Sequence, residues 1–116
     1  MSMVDGKILR QMGVDVGEDS LSTLISYFVS DTEERIKAFQ EQLSSGDFSA
    51  LAVSAHTLKS VCAQYGVMDC SLQARELEAL CRDPGAGGKA PEISRRIQRL
   101  IADLQTAMVE IKGFSM

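Results

Sequence analysis

The chain has 116 residues, 45% of them hydrophobic and 24% charged, which is the size and composition of one globular domain. Its net charge of −4 argues against nonspecific binding to nucleic acid, which requires clustered lysine and arginine. No apolar run approaches the roughly 20 residues that cross a bilayer, and the N-terminus lacks the pattern of a signal peptide. We therefore expect a cytoplasmic domain with no nucleic-acid or membrane partner.

The N-terminal half of the chain is predicted to form a short helix and then a long one. The short helix is indicated by apolar residues four positions apart: Val4, Ile8 and Met12. It is predicted to stop at Gly13, with residues 13–17 as a turn. The long helix is indicated by a stripe at three- and four-residue steps: Leu21, Ile25, Phe28, Thr32, Ile36, Phe39 and Leu43. Residues 44–47 are predicted to end it, and Asp47 is a suitable N-cap for the next helix.

The C-terminal half is predicted to form three more helices. The third has an inward seam: Leu51, Ala55, Leu58, Cys62 and Tyr65. Gly66 ends it, and a fourth helix repeats the pattern: Val67, Cys70, Ala74, Leu77 and Cys81. The glycine-rich residues 83–90 are predicted to be a flexible loop. Pro91 and Glu92 suit the first turn of a last helix over about 91–112, whose apolar face comprises Ile93, Ile97, Leu100, Leu104, Ala107 and Ile111.

These segments predict an all-α fold, an antiparallel up-down four-helix bundle with a short additional N-terminal helix that caps one end. The four seams close one core and leave no further long apolar stripe, so we expect a monomer. All three cysteines lie on inward seams without a metal-ligand spacing such as Cys-x-x-Cys. They are interpreted as reduced core residues, and no metal site is predicted.

The outer face of the third helix differs from the usual solvent face of a bundle helix. On an ideal helix His56, the one histidine of the sequence, falls about 140° from the centre of the inward seam. Small or uncharged residues surround it: Ser49, Ala52, Val53, Ser60 and Ala63. Between residues 48 and 66 the only charged residue is Lys59, whereas bundle helices usually expose many charges. This face predicts a docking surface for another protein. The alternative is an alanine-rich helix that is simply buried on two sides.

The chemistry of these residues fits phosphoryl transfer. An exposed imidazole is in large part neutral and nucleophilic at cytosolic pH. Lys59, one turn after His56, would lie close to a phosphoryl group on the ring and offset its negative charge.

Residues 54–66, with the sequence Ser-Ala-His-Thr-Leu-Lys-Ser-Val-Cys-Ala-Gln-Tyr-Gly, resemble the signature of histidine phosphotransfer (HPt) domains. That signature has an Ala-His-x-Leu-Lys-Gly/Ser core and a glycine, here Gly66, ten residues after the histidine. The resemblance spans about residues 21–82 and includes an Ala-x-x-Leu-Glu segment that ends in Leu77 and Glu78. Ser60 stands where the family usually has glycine, and Cys70 stands where it often has leucine.

The resemblance implies a single HPt domain over residues 1–116 that is phosphorylated on a ring nitrogen of His56, with Lys59 as the electrostatic partner. It implies a phosphoryl carrier and not an enzyme. The chain would accept the group from the receiver domain of a hybrid histidine kinase and pass it to the receiver aspartate of a response regulator. Because the partner receiver supplies the acceptor aspartate and Mg²⁺, no cofactor is expected on this chain.

Other functions remain open from the sequence. One is a helical-bundle interaction module that is not phosphorylated, although the presence of both His56 and Lys59 speaks against it. Another is a detached phosphoacceptor domain of a chemotaxis-type kinase, which shares the bundle but normally belongs to a longer chain. Redox sensing through the cysteines is disfavoured, because thiolates are unfavourable on inward seams.

Overall fold

The computed structural model describes residues 2–116, and the regular elements in this part of the chain are all helices. The α-helices are α1 (Gly6–Val16), α2 (Glu18–Ser45), α3 (Phe48–Gln64), α4 (Met68–Arg82) and α5 (Ala90–Lys112). Helices α2 to α5 form the antiparallel up-down bundle, in which α3 packs between α2 and α4, and α5 packs against both α4 and α2. The predicted fold class is confirmed, including the short additional helix, which packs against α2.

The first helix ends later than predicted, because Gly13 does not terminate it. Gly13 is buried within α1, and a Cβ atom there would collide with the side chains of Leu21 and Met116. The glycine therefore permits close packing between α1 and the start of α2. The helix ends at Gly17, whose φ of 92° lies in the left-handed region and whose N–H donates to the Gly13 carbonyl at 2.8 Å. The turn predicted over residues 13–17 is wrong except for its last residue.

The α2–α3 connection follows its local sequence. Gly46 takes a left-handed conformation with φ 66°, which ends α2. Asp47 caps α3 as predicted, since its carboxylate accepts a hydrogen bond from the Ala50 N–H at 3.0 Å. The α4–α5 connection, predicted to be a flexible loop, contains a 3₁₀ turn (Ala86–Lys89) whose Ala86 is buried.

Gly66 connects α3 to α4 and also anchors the N-terminal helix. Its φ of 79° lies in the left-handed region, which favours glycine. Its carbonyl accepts a hydrogen bond from the Asp5 N–H at 2.9 Å. A Cβ atom at this position would lie 3.0 Å from the Asp5 oxygen and 3.2 Å from the Ile8 Cβ. The turn and the close approach of the segment before α1 therefore both require glycine here.

The core is one cluster that contains side chains from all five helices. The predicted seams of α3, α4 and α5 are buried over their whole length. The cysteines are unpaired and buried, and burial raises the pKa of the Cys62 thiol to about 12, which keeps it protonated. None of the described helices combines the length and the apolarity needed to cross a membrane. Within residues 2–116, no three potential side-chain ligands from His, Cys, Asp and Glu come together as a metal site would require.

Candidate functional site

His56 lies on the flank of the bundle, near the middle of α3. It is the ninth of the helix's 17 residues, and its side chain is 57% exposed. The neighbouring residues Ala55 and Leu58 are fully buried against the core, so α3 holds its backbone firmly while the imidazole faces solvent. The helical pattern predicted this orientation.

A carboxylate from α4 holds one nitrogen of the His56 ring. Glu78 places Oε2 at 3.0 Å and Oε1 at 3.2 Å from Nδ1. An ionised carboxylate can only accept hydrogen bonds, so Nδ1 is the ring nitrogen that carries the proton. In the neutral ring the free lone pair is then on Nε2, which is directed away from Glu78. The structure thus favours Nε2 as the nucleophilic atom.

Glu78 also binds two cations. Its Oε2 accepts a hydrogen bond from the Arg82 Nε at 2.9 Å, and its Oε1 accepts one from the Lys59 Nζ at 3.3 Å. The hydrogen bond from Arg82 is the main cause of the low pKa of Glu78, which is about 2. Burial raises this pKa, whereas the contacts with His56 and Lys59 lower it further. The carboxylate is therefore ionised at neutral pH. We call Glu78, His56, Lys59 and Arg82 the Glu78 cluster.

Three members of the Glu78 cluster could be identified from the sequence, and the fourth could not. Lys59 lies at the border of the outer face, with 32% of its side chain exposed. Glu78 had been assigned only to the family motif, and its contact with His56 was not predicted. Arg82 was missed, although its position four residues after Glu78 on one helix is a typical ion-pair spacing. The other two motif residues, Gly66 and Leu77, have structural roles at the α3–α4 turn and in the core.

The predicted docking face on α3 needs one correction. Ala52 is only 1% exposed, so its prediction as a surface residue was wrong. It lies two turns before Lys59, on the side of α3 that packs against α4. Ala63 is half-buried, and the exposed members are Ser49, Val53 and Ser60.

The surface around His56 is also less neutral than α3 alone suggests. Glu78 and Arg82 of α4 border the imidazole on one side, and half of the Arg82 side chain is exposed. Val53, one turn before His56 on α3, is 61% exposed and is the largest apolar side chain among the predicted docking residues. An approaching protein would therefore meet an apolar and small-residue stripe on α3 beside a charged edge from α4.

Comparisons with known proteins identify the same kind of domain. The model of the Hpt domain family matches residues 23–107, which is most of the chain. Among solved structures, the chain is similar to the crystal structure of histidine-containing phosphotransfer protein B (HptB) from Pseudomonas aeruginosa PAO1. The sequence identity is 27%, the TM-score is 0.77, and the alignment covers 97% of each chain. A search of curated proteins finds no match.

Proposed function

The chain belongs to the Hpt domain family, the histidine phosphotransfer proteins of two-component phosphorelays, and from that membership we propose that it carries the phosphoryl group on Nε2 of His56. One observation supports this assignment above the others. His56 is exposed on the flank of α3, and the ionised Glu78 accepts the hydrogen bond of its Nδ1–H, which leaves the Nε2 lone pair free.

In the proposed reaction, the chain accepts the phosphoryl group from the receiver domain of a hybrid histidine kinase. It then passes the group to the receiver aspartate of a response regulator. Phosphoryl transfer depends mainly on positioning and charge neutralisation. This chain supplies an oriented imidazole, and the receiver supplies the aspartate and Mg²⁺. The protein is therefore proposed to act as a monomeric carrier and not as an enzyme.

The receiver is proposed to dock on the outer face of α3. Ser49, Val53 and Ser60 are exposed there and carry no charge, so a protein that approaches over these residues desolvates few charged groups. Ala63 extends this face by one turn. Lys59 and Arg82 border it on the α4 side and are placed to offset the charge of the transferring group.

The experiment that tests this function is phosphotransfer profiling with each phosphorylated receiver of the organism. Wild-type protein should take up an acid-labile, base-stable label, and His56→Gln should lose it while keeping the same helicity. Gln98→Ala, an exposed position on α5 that is separated from α3 by the bundle, should label normally. Label that persists in His56→Gln would disprove the assignment. Receiver binding without any labelling of the wild type would indicate an interaction module instead.

A further inference from the structure

Glu78 contacts the nitrogen whose protonation determines how readily a phosphohistidine gives up its phosphoryl group. When the bond between Nε2 and phosphorus breaks, its electron pair stays on Nε2. If Nδ1 carries a proton, the ring departs as neutral imidazole. If Nδ1 has lost its proton, the ring must depart as the imidazolate anion, which is a much poorer leaving group. Onward transfer therefore depends on the Nδ1 proton.

The charges around His56 favour retention of that proton. A phosphorylated ring that is protonated on Nδ1 is cationic, and Glu78 is the anion in contact with Nδ1. Arg82 on α4 binds Glu78 and holds it in place, and Lys59 on α3 contacts it more weakly. On α2, the charges of Asp31 and Arg35 offset each other, because the two side chains pair at 2.9 Å. Because only 13% of the Glu78 side chain is exposed, solvent screens its interaction with the ring incompletely.

We propose that Glu78 is a positioning residue that keeps the Nδ1 proton on phosphorylated His56 and so sustains onward transfer at neutral and alkaline pH. This inference rests on the proposed function. In onward transfer, an oxygen of the receiver aspartate bonds to phosphorus, the bond between Nε2 and phosphorus breaks, and the ring leaves as neutral imidazole with Nδ1–H retained.

The same arrangement serves the reverse step. The Nε2 lone pair attacks the phosphorus of the receiver's aspartyl phosphate, and the aspartate leaves as a carboxylate. The ring becomes positively charged without losing a proton, and Glu78 stabilises that charge. One carboxylate thus assists both loading and unloading of His56.

Substitution of Glu78 by glutamine separates the charge of the side chain from its hydrogen bond. The amide oxygen of the introduced glutamine can still accept from Nδ1–H, so E78Q should keep the ring tautomer and the ability to be loaded. Without the negative charge, Nδ1 of the phosphorylated ring should lose its proton at a pH about one unit lower. At alkaline pH, onward transfer should then be about tenfold slower than in the wild type.

The measurement is a pH titration of phosphorylated His56 by NMR after loading with phosphoramidate, which needs no partner protein. Because the sequence has one histidine, its ring signals are unambiguous. The matched control is E76Q, the same substitution on the same helix. Glu76 pairs with Arg96 of α5, on the other side of α4 from His56.

The titration midpoint should fall in E78Q and stay unchanged in E76Q. In R82Q, which removes a partner of Glu78 but keeps the carboxylate, the midpoint should not fall. Equal midpoints in E78Q and wild type would overturn the inference, as would equal decreases in E78Q and R82Q. Those results would leave the proposed function intact. A wild-type protein that takes no phosphoryl group on His56 would instead refute the proposed function itself.

Discussion

At the scale of single residues, Lys59 has the weakest of the three contacts with Glu78. Its Nζ lies 3.3 Å from Oε1, whereas the Arg82 and His56 contacts with Oε2 are 2.9 and 3.0 Å long. A single long hydrogen bond from a partly exposed lysine contributes little to stability. The ammonium group can therefore turn from Glu78 to the phosphoryl group proposed on Nε2 at small cost in stability.

Replacement of Lys59 should accordingly affect phosphotransfer more than folding. We expect Lys59→Ala to slow the initial transfer rate about tenfold, the effect of one charge-assisted hydrogen bond. Its free energy of unfolding should stay within about 1 kcal/mol of wild type. Lys37→Ala on α2, which breaks an exposed ion pair with Glu34, is the control for loss of one positive charge. If Lys59→Ala transferred at the wild-type rate, Lys59 would be an ordinary surface residue.

The sequence predicted the orientation of His56 but not its hydrogen-bond partner. Orientation follows from the helical period of α3 alone, because buried residues on one side imply exposed residues on the other. The contact between His56 and Glu78 depends instead on the axial register of α3 against α4. The helical spacing within one segment gives no information about how that segment is positioned along its neighbour. The same limit explains Ala52, which packing between helices buries although its position on α3 suggested exposure.

At the scale of elements, α3 combines a buried inward seam with an exposed outer stripe of small side chains. Ser60 follows His56 by one turn and is exposed, and Ala63 follows His56 by two turns and is half-buried. If receivers dock here, added bulk or charge at the centre of the interface should not be tolerated.

Ser60→Glu and Ala63→Arg should therefore each reduce the initial transfer rate from a phosphorylated receiver by at least about tenfold. The control is Arg99→Glu on α5, an exposed charge reversal on a helix that does not contact this face. A thermal melt of each variant separates the two possible causes of a slower rate. Normal transfer in both α3 variants would place docking elsewhere, and unfolding would show that this face is part of the core.

A helix end could be predicted where neighbouring residues in the sequence determine it, and not where contacts with distant residues matter. The Asp47 cap and the left-handed Gly46 act within a few residues, so the start of α3 could be predicted from local sequence. Gly13 is a glycine for a different reason, because Leu21 and Met116 pack closely against it. Met116 is about a hundred residues away, and no local pattern indicates that contact.

At the scale of the whole molecule, Gly66 links the N-terminal segment to the bundle. Gly66→Ala would force a Cβ into the left-handed region and against the Asp5 oxygen. We expect a loss of about 2 kcal/mol in the free energy of unfolding, visible as a lower Tm, with faster amide exchange at Asp5. Gly87→Ala is the matched control, since nothing lies within 4 Å of a Cβ there and its φ is not positive. Equal stability of the two variants would contradict the proposed double requirement at Gly66.

The overall architecture was the most predictable level. Apolar residues recur at helical spacing in four long segments, and burial of those stripes against each other leaves few arrangements other than an antiparallel bundle. The attachment of α1 was predicted only as a cap on one end. The hydrogen bond from Asp5 to Gly66 joins residues about sixty positions apart, and its geometry depends on the folded turn.

His56 lies on the long side of an elongated molecule, 46 Å by about 22 Å. This position affects how two receiver domains could reach it. If both receivers of the proposed relay dock on the outer face of α3, they must take turns at the one histidine of the sequence. Each receiver would then compete with the other for His56, and an excess of either one would block phosphoryl transfer. The rate of the proposed relay would then depend on the relative abundance of the two receivers as well as on the chemistry at the ring.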